Sequence, residues 1–153
     1  MREVKRTIID NKPWVWFKDK YTFKQHSFNI QDTKAVSENI EIAISIEGNS
    51  PLTGEVIIEN QSIPHNIPTG GYGYHEVILN ISLIDDMSEQ TEKISYSMTQ
   101  EMGTSLKKGE RRTFSFAFSD RDESPLAIKT TLMKTDFERK NTKLLVQKIL
   151  NLR

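Results

Sequence analysis

The stretch from Asn60 to His75 concentrates the side chains that could bind a ligand. It holds two of the three histidines, two of the five prolines, three of the seven glycines and two of the four tyrosines. Pro64 and Pro68 each fix φ at about −65°, and glycines adopt conformations that other residues resist. Such a loop can present the His65 imidazole, or backbone amides, in a defined place. Alternatively, His65 only hydrogen-bonds neighbouring backbone and maintains the shape of the loop.

The three histidines, His26, His65 and His75, are also the candidate metal ligands. Imidazole ligands suit zinc, copper, nickel or haem iron. Their spacings match no short ligand motif, and His75 shares a predicted strand face with Val77 and Leu79, which favours a core or boundary position. The sequence leaves open whether any of the three binds a metal.

The residue pattern argues against catalysis by this chain. Serines accompany His65, but a Gly-x-Ser-x-Gly nucleophile elbow is absent. Asp85 and Asp86 are neighbours at a predicted strand end, so their carboxylates would point to opposite faces and could not act as a pair. The glycines from Gly70 to Gly73 do not fit the dinucleotide-binding fingerprint, and a Walker loop is absent. We therefore predict that the chain is not an enzyme.

Composition excludes several classes of protein. The 21 basic residues balance the 21 acidic ones, which argues against capture of nucleic acid or of an anionic membrane. Without cysteine, the chain cannot form disulfides, thiolate zinc sites or covalent c-type haem. No apolar run approaches the roughly 20 residues that span a bilayer. We expect no nucleic-acid partner, no membrane insertion and no cofactor held within this chain.

The elements that must position the loop are β-strands. Apolar and polar residues alternate, as in strands with one buried face, over residues 40–47, 53–60, 75–83, 94–98, 113–118 and 126–132. These segments follow one another too closely for helical crossovers, so an antiparallel arrangement is expected. The pattern predicts an all-β, immunoglobulin-like antiparallel β-sandwich over residues 38–135.

Two further segments flank the predicted sandwich. Residues 1–37 are irregular and aromatic-rich, with both tryptophans, and we expect them to pack on the sandwich. A ligand-facing aromatic wall is the alternative. In the tail, apolar residues recur at helical spacing, which predicts a C-terminal helix within residues 136–153, capped by Thr135 or Asp136. The length is typical of one domain overall.

The loop carries a resemblance to a known family. Its spacing is Asn60-x4-His65-x2-Pro68-Thr69-Gly70. This resembles the Asn-x-Gly-x-Gly-His-x-x-Pro-Thr-Gly signature of the non-haem β-sandwich domain that follows the haem-bearing part of many bacterial multihaem c-type cytochromes. Weaker matches are His26-Ser27-Phe28 and residues 53–59, 108–116 and 128–132.

The chain also departs from that family. Pro64 stands where a Gly usually precedes the histidine, and Tyr74 stands where an Arg is common. Tyr74 carries no positive charge, so the salt bridge or charged haem-propionate contact that the Arg would make is not expected here. Cys-x-x-Cys-His is absent, so any haem would belong to a linked domain or to a partner.

The resemblance implies a structural and interactive role. The sandwich would pack against a haem-bearing domain, shield its haems or dock a redox partner, while electron transfer would belong to the haem protein. The residues that face the haem or form the binding loop would be His26, His65, Pro68, Thr69, Gly70, Tyr72 and Tyr74. A domain of an exported cytochrome would lie in the periplasm or cell envelope, and a cytoplasmic location stays open.

Two alternatives remain. Residues 66–72 are similar to the Asn-Pro-Thr-Thr-Gly-Tyr loop of chagasin-type cysteine-protease inhibitors, which are also immunoglobulin-like sandwiches. There the loop plugs the protease cleft through backbone and Thr contacts. The match needs an insertion, and His75 stands where that family has a Trp. The other alternative is a small metal- or ligand-binding module that uses His65.

Overall fold

The computed structural model describes residues 3–5, 22–24, 36–68, 75–85, 89–119, 127–137 and 140–152. In these residues the chain forms nine β-strands. In chain order they are β1 (Glu3–Lys5), β2 (Thr22–Lys24), β3 (Ile40–Asn49), β4 (Leu52–Asn60), β5 (His75–Ile84), β6 (Gln90–Thr99), β7 (Arg111–Ala117), β8 (Ala127–Asp136) and β9 (Asn141–Asn151). The chain divides into two compact units, residues 1–30 and residues 31–153.

In the first unit, β1 and β2 pair in an antiparallel two-stranded sheet. Most of the aromatic-rich segment, including both tryptophans, lies outside the described residues. Its packing on the sandwich, and the single-domain organisation, stay predictions.

The second unit contains two antiparallel sheets. One has the strand order β3-β4-β7 and the other the order β6-β5-β8-β9. The six strand segments expected from alternation all lie in these sheets, so the all-β, antiparallel architecture and its β-sandwich character are confirmed. In the described ranges, no helix has the length and apolar character that a membrane crossing requires.

The core lies on the inward faces of the central strands. Along β4 every second residue is buried, and Val56 and Ile58 have no exposed surface. Val77, Leu79 and Ile81 continue this core from β5. Burial of each such side chain stabilises the fold by about 1.5–3 kcal/mol relative to exposure.

Gly54 occupies an inward position of β4 where no side chain fits. A Cβ there would lie 2.1 Å from the Ser45 carbonyl oxygen and 2.7 Å from the Phe116 ring. Glycine therefore allows the Phe116 ring to fill the space over β4. This is the close backbone approach that glycine permits inside a strand.

Side-chain contacts connect the two sheets of the second unit where β6 of one sheet lies beside β7 of the other. The Tyr96 hydroxyl of β6 donates a hydrogen bond to the Ser115 carbonyl of β7, and the Tyr96 and Phe114 ring centroids lie 5.1 Å apart. Nearby, the Glu92 carboxylate accepts hydrogen bonds from the backbone N–H and hydroxyl of Ser119, both at 3.3 Å. These contacts link the edge strands β6 and β7.

The predicted C-terminal helix is wrong, because residues 141–151 form β9 at the edge of the four-stranded sheet. Leu132 pairs with Val146 and Met133 pairs with Leu144, so Leu145 is an extra residue in a β-bulge. A bulge shifts the two-residue alternation by one position. With the alternation interrupted, the apolar residues of β9 recur at a spacing close to that of a helix, which explains why the sequence predicted one.

Candidate functional site

Asn60, at the end of β4, determines the course of the loop that follows it. Its side chain is fully buried. The side-chain oxygen accepts a hydrogen bond from the Ile63 N–H at 2.9 Å, while the amide nitrogen donates to the carbonyls of Ile63 at 3.3 Å and His65 at 3.5 Å. One amide therefore satisfies three backbone groups of the loop.

A second attachment lies seven residues further along. The Ile67 N–H donates to the Leu106 carbonyl at 2.9 Å, and the Leu106 N–H donates back to the Ile67 carbonyl at 2.7 Å. Both side chains are buried, as is Pro68. The loop is thus fixed at Asn60 and again at Ile67.

The connection between β6 and β7, which pairs with Ile67, is itself held by charged groups. The Arg112 guanidinium donates hydrogen bonds to the carbonyls of Thr104 and Ser105 and forms a salt bridge with Glu110. The Glu110 carboxylate also accepts a hydrogen bond from the Lys107 N–H at 2.7 Å. Residues 104–110 are therefore fastened to β7, and they hold the loop in turn.

Electrostatics at Glu110 favour its charged form. Partial burial is the largest single influence and opposes ionisation, but the Lys107 N–H and the Arg112 guanidinium together outweigh it, so the pKa of Glu110 lies below its ordinary value of 4.5. The carboxylate stays ionised at neutral pH, where it maintains the salt bridge with Arg112.

His65 lies between the two attachments and is half-buried. Its Nδ1 lies 3.4 Å from the Asn66 carbonyl oxygen, while its own carbonyl accepts the bond from Asn60. Part of the imidazole remains accessible to solvent and hence to a partner. Both sequence hypotheses, a presented imidazole and a shape-holding one, fit this geometry.

His75 is the first residue of β5, opposite Asp136 of β8, and is partly exposed. Its Nδ1 is buried and has no hydrogen-bond partner among the described residues. Among those same residues, no cluster of three or more His, Asp or Glu side chains could hold a metal ion. The remaining predicted site residues, His26, Thr69, Gly70, Tyr72 and Tyr74, lie outside the described ranges.

The strand register brings the loop together with two turns at one end of the second unit. Glu76 pairs with Thr99 and His75 with Asp136, so β5 begins where β6 and β8 end. We call this surface, formed by residues 61–68, 100–110, 137 and 140, the loop end.

Sequence reasoning missed two exposed side chains of the loop end. Met102 and Phe137 have 72% and 52% of their surface exposed. Each is a large apolar residue in a turn, which is the signal that would have identified them. Their proximity follows only from the pairing of β5 with both β6 and β8.

No protein-family model matches this sequence, and no curated protein matches it significantly. Among solved structures, the fold is similar to part of a penta-heme cytochrome c552 from Thermochromatium tepidum, with a TM-score of 0.59 and 13% sequence identity. The alignment covers 78% of this chain and 41% of the cytochrome, so this chain spans about two fifths of that protein. At this identity the similarity shows a shared fold alone.

A β-glucuronidase from Bacteroides uniformis also aligns, with a TM-score of 0.40 and 14% identity over 80% of this chain and 13% of the enzyme. A TM-score this low does not establish a shared fold.

Proposed function

We propose that this chain is a non-catalytic β-sandwich domain that packs against or docks a haem-bearing redox protein. The observation that carries the proposal is the loop fixed at Asn60 and Ile67, which bears the cytochrome-like motif and holds a half-exposed His65 between its attachments. The fold likeness to part of a penta-heme cytochrome supports the same role. In this role the protein acts in the periplasm or cell envelope.

The geometry of the loop suits docking. Residues 61–68, the described part of the loop, are already held by hydrogen bonds, so they lose little conformational entropy when a partner binds and more of the contact energy appears as affinity. A neutral imidazole can hydrogen-bond a haem propionate or ligate iron. This chain would contribute the binding surface, and the haem protein would carry the electrons.

The protease-inhibitor alternative depends on residues 69–72, which lie outside the described ranges. No described contact favours it over the cytochrome-associated role.

The test begins with the genome that encodes this chain. The same or a neighbouring reading frame should encode a protein with Cys-x-x-Cys-His repeats. That cytochrome, purified with its haems, should bind this chain in a one-to-one complex with a dissociation constant of about 10 µM or lower by calorimetry. The absence of such a reading frame, or of binding at about 100 µM of both proteins, would refute the proposal.

One variant and a distant control test the loop. His65→Ala should weaken the complex by about tenfold, equivalent to about 1.4 kcal/mol. Lys93→Ala, an exposed change near the start of β6 and away from the loop end, is the control and should leave the affinity within about twofold. Equal binding by His65→Ala would show that the imidazole does not contact the cytochrome.

A further inference from the structure

The strand register places two exposed apolar side chains on either side of the first residue of β5. Met102 belongs to the turn after β6, and Phe137 follows β8 directly. Because β5 pairs with both strands and neighbouring strands lie about 4.8 Å apart, the two turns are rooted about 10 Å from each other. Both side chains therefore extend from the same end of the four-stranded sheet, at the loop end.

These apolar residues are unevenly distributed. In the described part of the chain, the exposed large hydrophobic residues are Met102, Phe137, Leu144 and Ile149. Met102 and Phe137 lie on the loop end, and Leu144 lies three residues into β9 from the same end. Only Ile149 lies toward the opposite end of the sheet. Exposed side chains of this kind contribute little to folding, and grouped ones are typical of interaction surfaces.

The turn that carries Met102 is well ordered by hydrogen bonds. The Thr99 hydroxyl oxygen accepts from the Met102 N–H at 3.1 Å, and the Thr104 hydroxyl oxygen accepts from the Thr99 N–H at 2.9 Å. Gly103 closes the turn with a φ of 68°, a left-handed conformation that favours glycine. Met102 is therefore presented at a fixed place, which reduces the entropy lost on binding.

Exposed cations lie on the same connections as the apolar residues. On the described connections of the loop end, Lys107, Lys108 and Lys140 are exposed, whereas Glu101 is the one fully exposed carboxylate. Glu110 is engaged with Arg112 in a salt bridge. On these connections the loop end thus combines apolar side chains with a surplus of exposed positive charge, while the exposed carboxylates of Glu38 and Glu41 lie at the start of β3, in the other sheet.

A haem edge has the complementary chemistry. The macrocycle is apolar, and its two propionates are anionic at neutral pH. We propose that the loop end docks an exposed haem edge of the partner, with Met102 and Phe137 against the macrocycle and the neighbouring lysines facing the propionates. This proposal rests on the proposed function and specifies which surface performs it.

The test uses the purified cytochrome described above as the binding probe. The double substitution Met102→Ser/Phe137→Ser should weaken the complex at least tenfold by calorimetry, because apolar anchors dominate such interfaces. The matched control is Ile149→Ser, which removes an equally exposed apolar residue from the opposite end and should change the affinity by less than about twofold. Urea unfolding of each variant checks that it is folded.

A charge variant gives an independent measurement. Lys140→Glu should weaken the complex several-fold at low salt and less at high salt, since salt screens exposed charges. If the Met102→Ser/Phe137→Ser variant does not fold, Lys140→Glu takes its place as the test of the loop end. An affinity equal to that of the unmodified chain at low salt would contradict propionate pairing.

The outcomes distinguish docking through the loop end from the more general proposal that the chain binds a cytochrome. If the unmodified chain binds the cytochrome and the double variant binds equally well, the loop end is not the docking surface, while the cytochrome-associated role survives. If the unmodified chain does not bind, both fail. Equal weakening by Ile149→Ser would place the interface on the face of β8 and β9. Sedimentation showing that the chain dimerises through Met102 and Phe137 would assign the surface to a second copy.

Discussion

At the scale of single residues, Asn60 determines the loop. A buried amide without partners would cost about 1–3 kcal/mol, but this one bonds to backbone groups of Ile63 and His65. Its own backbone is paired as well, with Glu110 and Gly109. A side chain that both accepts and donates is required here, which explains an amide rather than a carboxylate.

Asn60→Ala should therefore destabilise the protein by about 1–3 kcal/mol, because it leaves buried backbone groups of the loop unsatisfied. Urea denaturation measures the change in the free energy of unfolding. Lys93→Ala, an exposed change on β6, is the control and should cost less than about 0.5 kcal/mol. Equal losses in the two variants would show that the Asn60 amide does not hold the loop.

Glu110 gives the fold a pH dependence of known sign. Its pKa is lower in the folded state than its ordinary value of 4.5, so the folded state releases the proton more readily than the unfolded state. The resulting stabilisation is present above the ordinary pKa and is lost as the pH falls through the folded pKa.

Glu110→Gln should flatten the acid side of the stability profile, measured by urea denaturation between about pH 7 and pH 3. Glu101→Gln, an exposed carboxylate in the adjacent turn, controls for loss of one negative charge. An unchanged acid profile in Glu110→Gln would contradict a role for this salt bridge.

At the scale of elements, β9 shows how a strand can imitate a helix. The bulge at Leu145 turns that side chain into the core, with 3% of its surface exposed, while Leu144 keeps 44% exposed. In the helix that the spacing predicted, both would have lain near one apolar stripe. The pairing partner on β8, far away in sequence, decides between the two structures.

The two leucines offer a direct test of this register. Leu145→Ala should cost about 2–5 kcal/mol, as for a buried leucine, and Leu144→Ala less than about 1 kcal/mol. Denaturant unfolding of both variants gives the comparison. Similar losses at the two positions would be inconsistent with the bulged edge strand.

At the scale of the whole molecule, the two pairs of edge strands in the second unit, β6 with β7 and β3 with β9, differ in their side-chain contacts. Side chains of β6 tie it to β7 on one side. On the other side, β3 and β9 are edge strands, and both contain a bulge. Bulges and edge lysines such as Lys143 and Lys148 discourage the addition of a further strand. A partner is therefore expected at the loop end rather than along these edges.

Tyr96→Phe should lower the free energy of unfolding by about 0.5–1.5 kcal/mol, because it removes the hydrogen bond to Ser115 and keeps the ring beside Phe114. Since the bond joins the two sheets, a single urea transition should shift as a whole. Lys93→Gln, on the solvent side of β6, is the control. An unshifted transition in Tyr96→Phe would mean that solvent fully replaces this bond.

Much of the molecule follows from local sequence. Alternation located six of the seven strands of the two sheets, all but β9, because side chains of a strand point to opposite faces and one face must be buried. The prolines and glycines marked the loop after Asn60, because their backbone preferences are intrinsic.

The remaining features depend on how the strands pair in the folded protein. The bond between Ile67 and Leu106, the β9 strand in place of a helix, and the gathering of Met102 with Phe137 all depend on which strands become neighbours. Such pairings join residues far apart in the chain, and no local preference encodes them. Local residue patterns therefore specify the β architecture and the position of the loop, while strand pairing specifies what holds the loop and which surface surrounds it.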